Sequence, residues 1–505
     1  MLSERLRNDE LKRRIVTAEE AASWIENGMT VGLSGFTKAG DTKEVPYALV
    51  ERVKKEGKPF KIDVYTGASL GGEIDGIMAE AGIIRKRLPF QVDTKMRNKI
   101  NSGDLMFIDQ HLSHVAEFMR NGAMKKVDIA VVEAIAITVE GYIVPSTSVG
   151  NSYSFVQQAE EVIVELNLAQ PLAFEGTHDI YDPGKQGQRQ PIPLTEPNQK
   201  IGVPYIKVDA NKIKGIVITE KMDITSDITP PDAETAMIAE HLMDFLKNEV
   251  KEGRLPNSLA PLQSGIGAVA NAVFHGFLDS DFEDLEVYSE VLQDAVFDVI
   301  DAGKIKSASC CSITLSPDKM KEIYSNYEKY ADKIVLRPQE ISNHPEIIRR
   351  LGLICMNTAL EVDIYGNVNS THVMGNKMMN GIGGSGDFAR NGKLAIFVTK
   401  SIAKGGAISS IVPMVSHVDH TEHDVDVIVT EQGLADLRGL APMERAMVMI
   451  QNCAHPSYQP QLMEYFKEAL KRGGQTPHVI EEALSWHARF VKEGTMLEVD
   501  RYATV

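Results

Sequence analysis

Short aliphatic and β-branched runs recur along the chain, separated by stretches with helical spacing. The first part carries TVGLSGF, KIDVYTG, VDIAVVEA and EVIVELN, and the second carries LEVYSEV, RLGLICMN, KLAIFVT and VDVIVTEQG. Continuous apolar runs bounded by turn residues suit parallel sheets covered on both faces, because a strand with one wet face would alternate. Between the runs the pattern predicts helices. The one over Thr17–Asn27 opens with TAEE, where a capping hydroxyl precedes a Glu by three positions. The predicted class is α/β with mostly parallel sheets.

At about 150 residues per domain, a chain of 505 residues suggests about three domains. Internal repeats change that count to two copies of one unit. Gly141–Asn151 matches Gly366–Asn376 at an offset of 225, keeping both glycines, the Asn and a hydroxyl at Ser146 and Thr371. Val64-Tyr65 pairs with Val287-Tyr288 at 223, and Ile216–Glu220 with Val427–Glu431 at 211. Three matches in one order at drifting offsets predict a duplication. The junction falls in the Pro-rich stretch Thr225–Glu234, giving units 1–229 and 230–505.

Departures from the repeat point to chemistry. After Val-Tyr the first copy reads Thr66-Gly67 and the second Ser289-Glu290. Open α/β sheets place ligands at the carboxyl ends of their strands, so Glu290 is a candidate functional group. A solvated acid opening the helix VLQDAVFDVIDAG is the other reading, since the macrodipole favours negative charge there. Gly381–Gly386 fits G-x-G-x-x-G literally, but only DFARNGK separates it from LAIFVT, which leaves no room for the helix of a dinucleotide site. Its backbone amides remain suited to an anion or oxyanion, with Asn380 and Lys377 beside them. Pro261–Gly267 leads into AVANAVFHGF, a second place where amides open a helix. Lys404 in AKGG joins a cation to flexible backbone, as a phosphate contact or a plain surface turn. His417, Asp419, His420, His423 and Asp424 form the richest titratable cluster, in a stretch that reads as loop rather than one helical face, and no metal is expected there. No G-x-S-x-G elbow occurs.

A net charge of −17 argues against a nucleic-acid binder, so an anionic ligand needs a local site. The four cysteines, Cys310, Cys311, Cys355 and Cys453, show no C-x-x-C spacing, which fits a reduced compartment. The N-terminal stretch mixes acids with bases and lacks an apolar core, and no apolar run approaches the ~18 residues of a membrane span. A cytoplasmic protein with no membrane partner is expected.

At YSEVLQD, PLQSGIG, NKMMNGIGGSGDFAR, AKGG, PMVSHVDH and VTEQGLADLRGL the sequence resembles the acetyl-CoA hydrolase/transferase family, and within it the succinyl-CoA:acetate CoA-transferases. The likeness runs from VGLSGFTKAGDTKEVP to TPHVIEEALSWH, nearly the whole chain. It implies two similar CoA-transferase-type (NagB/RpiA-like) α/β domains and a homodimer. It also implies that Glu290 is a nucleophile, that the amides of Ile266 and Gly384 form an oxyanion hole, and that Asn343 and Glu431 support the nucleophile. Gln263, Ser264, Gly265, Ile266, Asn380, Gly384 and Lys404 are implied to contact CoA, which enters as acyl-CoA substrate with no prosthetic group.

The implied reaction is ping-pong transfer of CoA between small carboxylic acids, succinyl-CoA and acetate first, through an acyl-glutamyl anhydride and a glutamyl-CoA thioester. A carboxylate suits that role because the anhydride retains the energy needed to make a new thioester. Acetyl-CoA hydrolysis is the alternative. The segment EKMDITSDITPPDAE contains no Arg, which keeps propionate, butyrate and 4-hydroxybutyrate open as acids.

Overall fold

The apolar runs fold as two parallel sheets in the computed structural model, which describes residues 2–498. The first sheet uses β1 (Thr30–Leu33), β2 (Ile62–Tyr65), β3 (Ile84–Leu88), β4 (Met106–Phe107), β5 (Ile129–Ala134), β6 (Glu161–Asn167) and β7 (Ile213–Thr219). The second uses β8 (Leu262–Ser264), β9 (Leu285–Tyr288), β10 (Ile305–Cys310), β11 (Ile334–Leu336), β12 (Ile354–Thr358), β13 (Leu394–Val398), β14 (Val427–Thr430) and β15 (Gly433–Asp436). All six residues of β5 and all five of β13 are buried, as strands covered on both faces require.

The two sheets repeat one strand order. The first runs β4-β3-β2-β1-β5-β6-β7 and the second β11-β10-β9-β8-β12-β13-β14, with β15 added antiparallel at the edge. The sequence repeats fall on matching places: Val64-Tyr65 ends β2, Val287-Tyr288 ends β9, and Ile216 and Val427 lie in the seventh strand of each order. Gly141–Asn151 and Gly366–Asn376 each begin in an antiparallel hairpin that follows the fifth strand. The largest apolar cluster joins the sheets, taking Val132 and Val164 from one and Val287 and Ile354 from the other. Among the described residues no helix is long and apolar enough to cross a membrane.

Two helices differ from the sequence reading. The first spans only Ala18–Ser23, capped by Thr17, whose hydroxyl accepts from the Glu20 amide at 3.1 Å. A seven-residue helix, Ser385–Asn391, does open at the glycine run, so the expectation of no room for a helix there is corrected. Two turns fit because the helix starts inside the glycine run and ends at Gly392. The element before it is a short hairpin, His372–Val373 with Lys377–Met378, and not the sheet strand that a dinucleotide fingerprint follows.

The loop after β1 is pinned by a buried ammonium. Lys43 Nζ lies 2.5 Å from Glu133 Oε2 at the end of β5 and 2.8 Å from Asp223 Oδ1 in the segment leading to the second sheet. It also donates to the Asp41 carbonyl at 2.7 Å. Removing one partner of a buried charge cluster leaves the others uncompensated, at a cost of about 3–5 kcal/mol. Lys43→Met is therefore expected to lower the urea midpoint by a loss of about that size, and Lys43→Met with Asp223→Asn to recover part of it. An unchanged midpoint in the single variant would contradict this account.

Candidate active site

β9 ends at Tyr288, and the backbone just beyond it is held on two sides. The Glu290 carbonyl accepts from the amides of Cys311 at 3.0 Å and Ser312 at 3.1 Å. Val291–Leu292 then pairs in parallel with Ser312–Ile313. The following helix covers Asp294–Asp301, and its first-turn acid is Asp294. Glu290 therefore lies outside that helix, which removes the reading of it as a dipole-stabilising acid.

Its carboxylate meets a polar partner from another element. The Tyr288 hydroxyl donates to the Ile341 carbonyl at 2.7 Å, anchoring the short helix Gln339–Ser342. That helix ends at the fully buried Asn343, whose Nδ2 donates to Glu290 Oε2 at 2.9 Å. Burial pushes the Glu290 carboxyl up to about 7, with the Asn343 hydrogen bond acting against the rise.

Glu290 opens onto a cavity of about 260 Å³ formed by both halves. Phe36, Ala68, Phe90 and Leu112 supply an apolar wall from the first half. Gly265, Ile266, Asn357, Ser370, Asn380 and the run Gly381–Ser385 line it from the second. A Cβ on Gly384 would stand 2.1 Å from Glu290 Oε2 and 2.3 Å from Asn343 Nδ2, so only glycine brings the backbone this close. Among the described residues, the amides of Ile266 and Gly384 donate to no protein acceptor. Two unengaged amides and a carboxylate facing one cavity can hold an oxyanion next to a nucleophile.

The structure thus gathers Glu290, Asn343, Gly265, Ile266, Asn380 and Gly384 at one place. Other sequence candidates lie apart. Gln263 is buried in β8 with its amide paired to Asn357 at 3.1 Å, and the Ser264 carbonyl accepts from the Ser289 hydroxyl at 3.0 Å. Lys404 is exposed on a turn, 5.2 Å from the Phe490 ring, and outside the cavity wall. Glu431 bonds the Ser401 amide at 2.8 Å and does not touch Glu290. The histidine-rich stretch braces the cavity from behind: Asp419 accepts from the Ser370 amide at 2.7 Å, and His420 Nε2 lies 3.1 Å from the Ser385 hydroxyl. Among the described residues no group of three or more His, Cys, Asp or Glu side chains is arranged to hold a metal ion. The first-half wall was missed by sequence reasoning, since Phe36, Phe90 and Leu112 follow no spacing rule. Their only signal was position just past the ends of β1, β3 and β4.

Comparison with known proteins places the chain in a family. Residues 1–218 match the acetyl-CoA hydrolase/transferase N-terminal domain, and residues 320–466 the C-terminal domain of the same family. The chain is 55% identical to the succinyl-CoA:acetate CoA-transferase of Clostridium kluyveri, over 97% of this chain and 92% of that protein. It is 46% identical to the acetyl-CoA hydrolase of Schizosaccharomyces pombe, over 98% of each. The crystal structure of a 4-hydroxybutyrate CoA-transferase from Porphyromonas gingivalis superposes with a TM-score of 0.62 at 21% identity, covering 92% of this chain and 98% of that one. That likeness extends the fold to CoA-transferases. The chain belongs to the acetyl-CoA hydrolase/transferase family of enzymes.

Proposed function

We propose that this enzyme transfers CoA between small carboxylic acids, with succinyl-CoA and acetate as the pair, and that Glu290 carries the group being exchanged. The observation that carries the reading is the Glu290 carboxylate held by Asn343 beside two unengaged backbone amides. In this scheme a Glu290 oxygen attacks the thioester carbonyl, and the tetrahedral oxyanion collapses to expel CoA thiolate and leave an acyl-glutamyl anhydride. The thiolate then attacks the glutamyl carbonyl, releasing the first acid as carboxylate and leaving a glutamyl-CoA thioester. The second carboxylate attacks that carbonyl and expels thiolate again. Attack of thiolate on the new acyl carbonyl forms the second acyl-CoA and returns Glu290 as a carboxylate.

Each collapse passes through an oxyanion that the Ile266 and Gly384 amides are placed to receive, a role in which one donor is worth roughly 2.7–4 kcal/mol. Gln263, Ser264, Gly265, Asn380 and Lys404 are assigned to CoA, and Glu431 to support of the site, on the family resemblance. The apolar wall favours a short acyl group, with propionate, butyrate and 4-hydroxybutyrate as further acids. In the same reading the enzyme works in the cytoplasm as a homodimer, without a prosthetic group.

Acetyl-CoA hydrolysis is the second reading, raised by the likeness to the S. pombe protein. Transfer is favoured because the likeness to the C. kluyveri transferase, 55% identical, exceeds that to the hydrolase at 46%, and because the apolar wall of Phe36, Phe90 and Leu112 disfavours water beside Glu290. Thiol release without an acceptor acid, at a rate equal to transfer, would reverse that preference.

With succinyl-CoA supplied, [14C]acetate is expected to enter acetyl-CoA, and Glu290→Ala to abolish the exchange. The tryptic peptide containing residue 290 should gain the mass of CoA in the wild type alone. A second expectation concerns pH. Only the ionised carboxylate attacks, so kcat/KM should fall as pH drops below about 7, the value to which burial raises Glu290. Asn343→Ala removes the hydrogen bond that opposes the rise, and should move this acid limb to higher pH. A limb that stays in place would separate Asn343 from the ionisation of Glu290.

A further inference from the structure

The glycine run belongs to the second half, yet the first half holds it. Asn101 brackets Met378, donating to its carbonyl and accepting from its amide, both at 2.9 Å. Arg97 Nε donates to the Met379 carbonyl at 2.6 Å. At the other end, Ser113 donates its amide and hydroxyl to the Asp387 carboxylate at 3.0 and 2.6 Å. Between these ends lies the turn itself, and there one side chain of the first half reaches it. Asp109 Oδ1 accepts from the Ile382 amide at 2.7 Å.

The fit is close. A Cβ on Gly381 would come within 2.9 Å of that Asp109 oxygen and 2.7 Å of the Pro89 carbonyl oxygen. A glycine turn has little stiffness of its own, so its shape depends on what it is bonded to. Ile382 is two residues from Gly384, whose backbone lies against the Glu290 carboxylate. Asp109 itself does not line the cavity.

We propose that Asp109 is a positioning residue: by accepting the Ile382 amide it sets the glycine turn so that the Gly384 amide faces the oxygen that becomes negative during acyl transfer at Glu290. The idea rests on the transfer chemistry proposed above. An oxyanion donor works only when it is fixed within about 0.5 Å before the reaction. Ties at residues 378, 379 and 387 anchor the ends of the segment; between them Ser385 and Asn380 bond the Ile382 and Gly381 carbonyls from within the segment, at 2.8 and 2.9 Å, and Asp109 is the side chain that holds this middle from the first half. A half-buried carboxylate turned to backbone amides gives up part of its hydration. Burial raises its carboxyl to about 6, and the Ile382 hydrogen bond opposes that rise.

The test compares steady-state transfer between succinyl-CoA and acetate in the full-length wild type and in Asp109→Asn, Asp109→Ala, Asp109→Glu and Glu290→Ala. Asp109→Asn keeps an acceptor oxygen and should stay within about fivefold of wild-type kcat. Asp109→Ala should lose about 100-fold in kcat with the succinyl-CoA KM within about threefold, the split expected of a transition-state donor. Asp109→Glu keeps the charge but displaces the acceptor by one methylene, and should lose about tenfold in kcat at unchanged KM. It decides the matter if the Ala variant does not fold. Wild-type kcat in a folded Ala or Glu variant, or a loss confined to KM, overturns the proposal. Exchange surviving in Glu290→Ala would instead overturn the transfer mechanism, so the two failures are distinguishable.

Discussion

A carboxylate withdrawn from water at the end of a parallel strand is the constraint around which the rest is arranged. In the proposed transfer Glu290 must be desolvated enough for its oxygen to attack a thioester, yet ionised often enough to attack at all. Burial alone would push it far toward the neutral acid, and the single donor from Asn343 sets the balance near neutrality. Asn343 is carried by the helix Gln339–Ser342, and one anchor of that helix is the Tyr288 hydroxyl from the same strand that presents Glu290. Glu290 and its support are thus positioned from one strand. Backbone groups of Cys311 and Ser312 close the remaining freedom.

The second requirement is a dry, shaped space, and neither sheet supplies it alone. The apolar wall comes from loops at the ends of the first-half strands, while the amides come from loops of the second. A shared apolar core makes that seam rigid, because side chains of both sheets pack into one cluster. Asp109, Ser113, Asn101 and Arg97 carry the same logic to the glycine run. A flexible backbone turn gains fixed amide directions by bonding to the opposite half.

Much of this architecture was legible in the sequence because parallel strands and glycine-opened helices leave local signatures. The apolar runs, the helix after Gly267 and the place where the two copies diverge at Glu290 all appear in a few adjacent residues. The wall of Phe36, Phe90 and Leu112 was not legible. Each of these residues reads locally as ordinary core, and only the docking of the two halves faces them toward Glu290. Asp109 was hidden for the same reason, since its partner Ile382 is 273 positions away. The histidine-rich stretch misleads in the opposite direction. Its residues are chemically rich, but Asp419 and His420 are taken up by Ser370 and Ser385, and they shape the cavity from behind.

The first half's counterpart of Glu290 shows how the two halves depend on each other. Gly67 stands where the strand correspondence puts Glu290 in the second half. A Cβ there would lie 2.6 Å from the Gly35 carbonyl oxygen and 3.0 Å from Gln339 Oε1. No side chain fits, and the space is occupied by Gln339, which opens the helix leading to Asn343. Gln339 is seated further by its amide donating to the Gly150 carbonyl at 3.0 Å and its Nε2 to the Leu112 carbonyl at 3.2 Å. Gly150 belongs to the repeated segment of the first copy, and Leu112 to the cavity wall. The place that carries Glu290 in one half therefore serves in the other as a socket for the helix that supports Glu290. A side chain introduced at Gly67 would act on Glu290 through Gln339 and Asn343, which makes the asymmetry of the two halves part of the site itself.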